Sequence, residues 1–133
     1  MYSLDEIIKN SPIKVYDGRY AVVKCNKFPP LDSIFMVSND GEEVTAILEE
    51  QNLKNISYEL SEKWFKIISV HISTPFHGVG FLATISSRIA ENGINIFIIS
   101  TFSKDFILLK EEDINQGVKI LKDMGFPTLK ATY

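Results

Sequence analysis

A short glycine-containing segment stands directly before the clearest helical pattern of the sequence. It reads "HGVGF" and comprises His77, Gly78, Val79, Gly80 and Phe81. The first turn of a helix has backbone N–H groups without acceptors and carries the positive end of the helix dipole, so it favours an anion. Glycines let a ligand approach the backbone closely. A glycine loop is a weak motif, and on these residues alone simple turn geometry explains it as well or better.

Hydrogen-bond acceptors follow further along the chain. Ser100 and Thr101 end the apolar run "INIFIIST", and Asp105 begins the run "DFILL". A carboxylate binds an ammonium or guanidinium group through charge-assisted hydrogen bonds, which are stronger than neutral ones. An aspartate between two strands can instead cap the hairpin turn. Both interpretations of Asp105 remain open.

Other reactive residues do not form a recognisable catalytic or metal site. His71 and His77 are the only histidines, and they lack the i, i+4 spacing of a zinc-binding helix. The single cysteine, Cys25, ends an apolar strand and is expected to be a buried small hydrophobe. The sequence has no phosphate-binding loop and no dinucleotide fingerprint. We therefore expect no enzymatic activity, no cofactor and no bound metal.

Composition narrows the class of protein and of partner. The 133 residues are 45% hydrophobic and 23% charged, which is typical of a soluble globular protein. A net charge of −3 argues against a nucleic-acid partner. The N-terminus "MYSLDEIIKN" lacks the pattern of a secretory signal, and the apolar runs are strand-sized, so no membrane association is expected. One cysteine fits a reducing cytoplasm.

The second half of the sequence alternates strand and helix patterns. Strands are predicted at 63–72, 94–101, 105–109 and 128–133, and helices at 81–93 and 111–125, ending at Gly93 and Gly125. Leu82, Ile85 and Ile89 share the apolar stripe of the first helix. The order β-α-β-β-α-β predicts an α+β fold of the ferredoxin-like type. An RNA recognition motif has the same order, but "DFILLKEE" lacks the basic and aromatic run that its third strand requires, and the net charge of the chain is negative.

The first half repeats this plan in shortened form. Residues 33–50 align without a gap to 95–112, an offset of 62 residues, which indicates an internal repeat. The loop "NKFPPLD" stands where the second half has a helix, so the first copy is predicted to have lost it. Two tandem units are predicted, at residues 1–62 and 63–133. In this alignment Glu43 is the counterpart of Asp105, and we expect it to be a solvated turn residue.

The strand "INIFIIS" is apolar on both faces. Ile96 and Ile98 point one way, and Phe97 and Ile99 point the other. A lone two-layer fold would leave one face in water. We expect the first repeat or a second chain to cover it.

The segment "TPFHGVGFLATISSRIAENGINIFIIST" resembles the signature of the ACT domain, the amino-acid-sensing module of allosteric enzymes. Residues 12–126 are similar to small tandem-ACT proteins related to aspartate kinase regulatory domains and to the cytosolic arginine sensor of the mTOR pathway. The loop "STPFHG" lacks the acidic residue that these relatives often carry before the helix, which leaves the ligand's identity open.

The resemblance implies a stand-alone regulatory protein that binds a free amino acid at an ACT-ACT interface. It implies ligand contacts from His77, Gly78, Val79, Gly80, Phe81, Ser100, Thr101 and Asp105. It also implies a homodimer and a regulated enzyme as partner. The alternative is a ligand-free dimerisation module.

Overall fold

The computed structural model describes residues 3–129, which group into two compact units. Met1–Tyr16 and Ile67–Tyr133 form one, called here the composite unit, and Asp17–Lys66 form the other, the inserted unit. The sequence predicts a boundary between residues 62 and 63. The grouping differs from that prediction because residues 4–15 pair and pack with the C-terminal half. The composite unit is therefore assembled from both ends of the chain.

Ten helices and strands are described, together with three short 3-10 turns at Leu31–Ser33, Glu50–Asn55 and Glu111–Asp113. In chain order the elements are α1 (Leu4–Lys9), β1 (Ile13–Val15), β2 (Tyr20–Cys25), β3 (Met36–Asn39), β4 (Val44–Glu49), β5 (Tyr58–Val70), α2 (Phe81–Glu91), β6 (Phe97–Ser100), β7 (Asp105–Lys110) and α3 (Ile114–Met124).

The composite unit carries the predicted β-α-β-β-α order. The end of β5 lies next to β7, and β7 pairs antiparallel with β6. On its other side the end of β5 pairs with β1, where Ile13 is opposite Val70. At the start of the predicted last strand, Thr128 forms an isolated parallel bridge with Ile13. Residues 130–133 of that predicted strand lie outside the described residues.

One apolar core joins the helices of the composite unit to its strands. Ile85 and Ile89 of α2 and Leu121 of α3 are buried against Ile107 and Leu109 of β7. The short helix α1 adds Ile7 and Ile8 to the same core. Leu82, predicted on the α2 stripe, is 38% exposed, and its neighbour Phe81 is buried instead. α2 and α3 end before Gly93 and Gly125, both at positive φ, as the sequence predicts.

The inserted unit is built from strands and 3-10 turns. β2 lies between β4 and residues 58–65 of β5, and β3 pairs with β4. Its core contains Ala21, Val23, Cys25, Ala46 and Leu48. Between β2 and β3, residues 26–35 contain only the 3-10 turn Leu31–Ser33. This unit therefore has the proline-bearing loop, and not a helix, as predicted.

The two repeated hairpins correspond, but not in the register that the sequence alignment gives. β3 and β4 begin at residues 36 and 44, and β6 and β7 begin at 97 and 105, an offset of 61 residues. Each hairpin has a four-residue connection, and the backbone contacts Asp40 N to Glu43 O and Thr101 N to Lys104 O are equivalent. A shift of one residue exchanges the two faces of a strand. The structural counterpart of Asp105 is therefore Val44 and not Glu43, which is exposed.

Candidate functional site

An open cavity of about 330 Å³ lies within the composite unit, where α2 begins. Its wall is formed by the loop between β5 and α2, the first turn of α2, and the connection between β6 and β7. At about 30 Å³ per water molecule, the cavity holds roughly ten waters, which is room for a ligand of amino-acid size. The lining residues are Ile72, Pro75, Phe76, Gly78, Val79, Phe81, Leu82, Ser100, Thr101, Phe102 and Asp105.

Six of the eight predicted site residues line this cavity, and two do not. His77 is exposed and does not line the cavity, and neither does Gly80. The N–H of His77 donates to Thr74 O at 3.1 Å, within the same loop. Gly80 is the N-cap residue of α2, with φ of +82°. The six that the fold brings together are Gly78, Val79, Phe81, Ser100, Thr101 and Asp105.

The carboxylate of Asp105 is the dominant electrostatic feature of the cavity. Asp105 is 6% exposed and is the only charged residue among those that line it. Within residues 3–129, its side chain has no hydrogen-bond or ion-pair partner. Its oxygens are not among the fully buried polar atoms that lack a partner, so they reach the open cavity, where they can accept charge-assisted hydrogen bonds from a cationic ligand group.

Asp105 does not cap the hairpin turn, the simpler role that its position also permits. That turn is closed by Thr101, whose N–H and hydroxyl both donate to Lys104 O, at 2.8 and 3.1 Å. The capping aspartate belongs to the other hairpin. There, Asp40 Oδ1 accepts from the N–H groups of Glu42 and Glu43, both at 2.8 Å. These two hydrogen bonds lower the pKa of the Asp40 carboxyl below its usual value.

The start of α2 offers backbone donors beside the cavity. Its N-cap is Gly80, so the first turn has no side-chain cap. The Phe81 N–H donates to Gly78 O at 3.1 Å, and the Thr84 N–H to Gly80 O at 2.9 Å. In the described part of the chain, the intervening N–H groups of Leu82 and Ala83 have no acceptor, and of these two residues only Leu82 lines the cavity. These groups and the helix dipole favour an anion.

Two phenylalanines stand at the rim of the cavity. Phe76 is 74% exposed and Phe102 is 78% exposed. Their rings meet edge to face with centroids 5.1 Å apart, a favourable geometry for an aromatic pair. Phe76 has a φ of +67°, the left-handed region that residues other than glycine seldom adopt.

The base of the cavity loop is tied to the N-terminal segment. The Ser73 N–H donates to Ser11 Oγ at 3.0 Å, and Ser11 is fully buried. The His71 N–H donates to Pro12 O at 2.9 Å, and its Nε2 lies 3.1 Å from Ser69 Oγ. Partial burial, followed by the charges of Lys104 and Lys14, lowers the pKa of His71 below its usual value.

Five lining residues were not predicted from the sequence. The exposed Phe76 and Phe102 resemble ordinary loop residues, and Leu82 resembles a core position of α2. Only the adjacent pair Pro75-Phe76, directly before the glycine loop, was a signal that could have extended the predicted site. The complete set is Ile72, Pro75, Phe76, Leu82 and Phe102.

Two further observations limit the chemistry. Among residues 3–129, no three histidine, cysteine, aspartate or glutamate side chains come together as a metal site would require. The longest helices there have eleven residues, about half of what a bilayer-spanning helix needs.

Comparison with known structures gives similar folds at low sequence identity. A protein of unknown function from Vibrio cholerae, described as a possible transport protein, aligns with a TM-score of 0.77 at 20% identity, over 92% of this chain and 95% of that one. The ligand-free regulatory subunit of aspartate kinase from Thermus thermophilus aligns with a TM-score of 0.60 at 11% identity, over 89% and 97%. A putative C-terminal regulatory domain of aspartate kinase from Porphyromonas gingivalis W83 aligns with a TM-score of 0.53 at 19% identity, over 90% and 99%.

Comparison with curated protein sequences gives no significant match. The family model of the ACT domain matches residues 59–123, which include the end of the inserted unit, α2, the β6–β7 hairpin and most of α3. The resemblance and the α+β ferredoxin-like fold predicted from the sequence are both confirmed. Residues 59–123, just under half of the chain, are therefore similar in sequence to the ACT domain, and the fold is similar to that of aspartate kinase regulatory domains.

Proposed function

We propose that this chain is a regulatory protein, without catalytic activity of its own, that binds a free amino acid in the cavity at the start of α2. The observation that carries the proposal is the carboxylate of Asp105. It is buried, has no partner among residues 3–129, and lines an open cavity of about 330 Å³. The similarity to regulatory domains of aspartate kinases supports a ligand-binding regulatory role.

The two poles of the cavity suit the two charges of a free amino acid. Asp105 would accept hydrogen bonds from the α-ammonium group. The N–H group of Leu82, which lines the cavity at the positive end of α2, would donate to the α-carboxylate. Hydrogen bonds to charged groups contribute about 1.5–3 kcal/mol each when buried, so both poles together would support a specific complex.

Binding would be converted into a signal through a change in the association of subunits or with a regulated enzyme. A ligand shifts such an equilibrium only by its difference in affinity between two states. The loop at residues 74–81, which forms one wall of the cavity, is the element that would change on binding. A cytoplasmic homodimer is part of this proposal.

A ligand-free dimerisation module is the second candidate. It is favoured by β6, which ends the strand order and whose Phe97 is 47% exposed. Exposed apolar residues on such a strand suit pairing with a second copy. The mass in solution, measured by light scattering, decides whether a dimer forms, and titration decides whether it senses a ligand.

The test is isothermal titration of the wild-type protein and of Asp105→Asn with each of the twenty amino acids. We expect at least one to bind the wild type, and we expect the Kd of Asp105→Asn to rise about 100-fold. That change corresponds to about 3 kcal/mol, the loss of a strong charge-assisted contact. Asn keeps the size of Asp, so the fold should be retained.

The matched control is Glu43→Gln, which neutralises an exposed acid beside the equivalent position of the other hairpin. Its Kd should stay within about twofold of the wild-type value, because an exposed charge outside the cavity contributes little. A dimer that binds none of the twenty amino acids would establish the scaffold alternative. An unchanged Kd in Asp105→Asn would remove Asp105 from the site.

A further inference from the structure

We infer that the ligand is an amino acid with an uncharged, apolar side chain, held against Phe76 and Phe102 at the rim of the cavity. This inference rests on the proposed function and adds the chemical class of the ligand to it. It depends on how charge and apolar surface are distributed along the cavity wall.

Charge is the first part of the evidence. The cavity lining contains one charged residue, Asp105, of which only 6% is exposed. An α-ammonium group uses that carboxylate, and the start of α2 receives the α-carboxylate. No second acid is then present in the lining for the side chain of lysine or arginine, and no base for that of aspartate or glutamate. A charged side chain would lose its hydration without gaining a partner.

Apolar surface is the second part of the evidence. Apart from Asp105, Gly78, Ser100 and Thr101, all residues that line the cavity are apolar. Three of its members are largely exposed without ligand: Phe76 at 74%, Val79 at 92% and Phe102 at 78%. An aliphatic or aromatic side chain placed against them would remove water from both surfaces, which is the main favourable term in binding apolar groups.

The geometry of the rim is the third part. The ring of Phe76 comes from the loop before α2, and the ring of Phe102 comes from the connection between β6 and β7. They are in contact at 5.1 Å between centroids. Because the pair joins two segments of the cavity lining, an apolar ligand side chain placed against it would contact both segments. The size and apolar character of that ligand side chain would then determine how much apolar surface is removed from water.

Titration with a chosen panel tests the inference. Leucine, isoleucine, methionine and phenylalanine represent the apolar class, and lysine, arginine, aspartate and glutamate the charged class. We expect the tightest apolar ligand to bind at least tenfold more tightly than any charged one. Lysine or arginine as the tightest ligand would overturn the inference and leave the proposed function intact. Failure of all twenty amino acids to bind would overturn both.

The variant Phe102→Ala separates side-chain recognition from recognition of the amino-acid backbone. Since Phe102 is 78% exposed, its replacement should leave the fold intact. We expect the Kd for the tightest apolar ligand to rise about tenfold and the Kd for alanine to change less than threefold. The control Phe28→Ala removes a 53% exposed phenylalanine of the inserted unit and should change neither Kd. Equal losses for both ligands, or no loss in Phe102→Ala, would overturn the inference.

Discussion

The β3–β4 and β6–β7 hairpins have the same plan and different chemistry. Both have antiparallel strands, a four-residue connection and equivalent backbone hydrogen bonds across it. In the first, Asp40 caps the turn and Val44 begins the second strand. In the second, Thr101 closes the turn and Asp105 begins the second strand. The acidic side chain is therefore exposed and satisfied in one hairpin, and buried without a partner among residues 3–129 in the other.

What precedes each hairpin differs as well. Before β6–β7 stands the eleven-residue helix α2, whose first turn lines the cavity. Before β3–β4 stands a loop with one 3-10 turn, which has no helix dipole to offer an anion. The comparison teaches that the hairpin is a scaffold common to both units. The binding that we propose requires the combination of a helix start with the Asp105 carboxylate, and within residues 3–129 only the composite unit has that combination.

The largest effect is expected from a carboxylate at Val44, the position of the β3–β4 hairpin that corresponds to Asp105. Val44 packs against the core of the inserted unit. Val44→Asp should lower the free energy of unfolding by about 2–4 kcal/mol, because the new carboxylate would have neither a partner nor a cavity. Chemical denaturation measures the change.

The control for this variant is Thr45→Asp, on the opposite face of β4 and directly across from Lys24. An opposite-charge pair across two strands should keep the change within about 1 kcal/mol. Equal losses in both variants would mean that strand propensity, and not burial of charge, distinguishes the two hairpins.

A smaller effect is expected from the helix that covers the cavity hairpin. A Cβ added to Gly117 of α3 would lie 2.2 Å from Leu109 Cδ1 of β7. Gly117→Ala should therefore lower the free energy of unfolding by about 1–3 kcal/mol, although alanine is the better helix former.

Thermal unfolding compares this variant with Gln116→Ala, an exposed position of the same helix, which should be neutral or slightly stabilising. If Gly117→Ala stabilised the protein as well, the close packing of α3 on β7 would not hold in solution.

The smallest effect concerns the acid side of the stability profile. The pKa of His71 is lowered in the folded protein, so the unfolded chain takes up a proton first as the pH falls. This contribution to stability is present above a pH of about 6.5 and decreases below it. We expect His71→Gln to show a weaker decrease between about pH 7 and pH 5 than the wild type.

Denaturation at several pH values measures this slope. His77→Gln, an exposed position in the same loop, should retain the wild-type slope. A wild-type slope in His71→Gln would show that its burial and the charges of Lys104 and Lys14 are not the cause.

Much of the composite unit was predictable because its signals are local. Apolar periodicity defined α2 and α3, and Gly93 and Gly125 marked their ends. The pairing of β1 with the end of β5 was not predictable, because a three-residue strand carries little pattern and its partner lies about 55 positions away. For the same reason the division of the chain into units differed from the prediction.

The glycine, hydroxyl and acid residues of the candidate cavity could be selected from the sequence, whereas most of its apolar lining could not. Glycines before a helix and an aspartate at a strand start have a recognisable type and place. Phe76, Leu82 and Phe102 have the composition of any loop or helix face, and only the fold brings them together. The one-residue shift of the repeat was hidden because the sequence favours the other register: over residues 33–50 an offset of 62 gives five identical pairs, and the structural offset of 61 gives two.

The most direct test of the central claim is Asp105→Val, which gives β7 the residue that β4 has at the equivalent place. Thermal unfolding and titration with the tightest amino acid are measured on the same sample. We predict that the variant unfolds at a higher temperature than the wild type, since an apolar side chain replaces a charged one on a residue that is only 6% exposed, and that it no longer binds the ligand. A variant that is less stable than the wild type, or that binds the amino acid with unchanged Kd, would contradict the account.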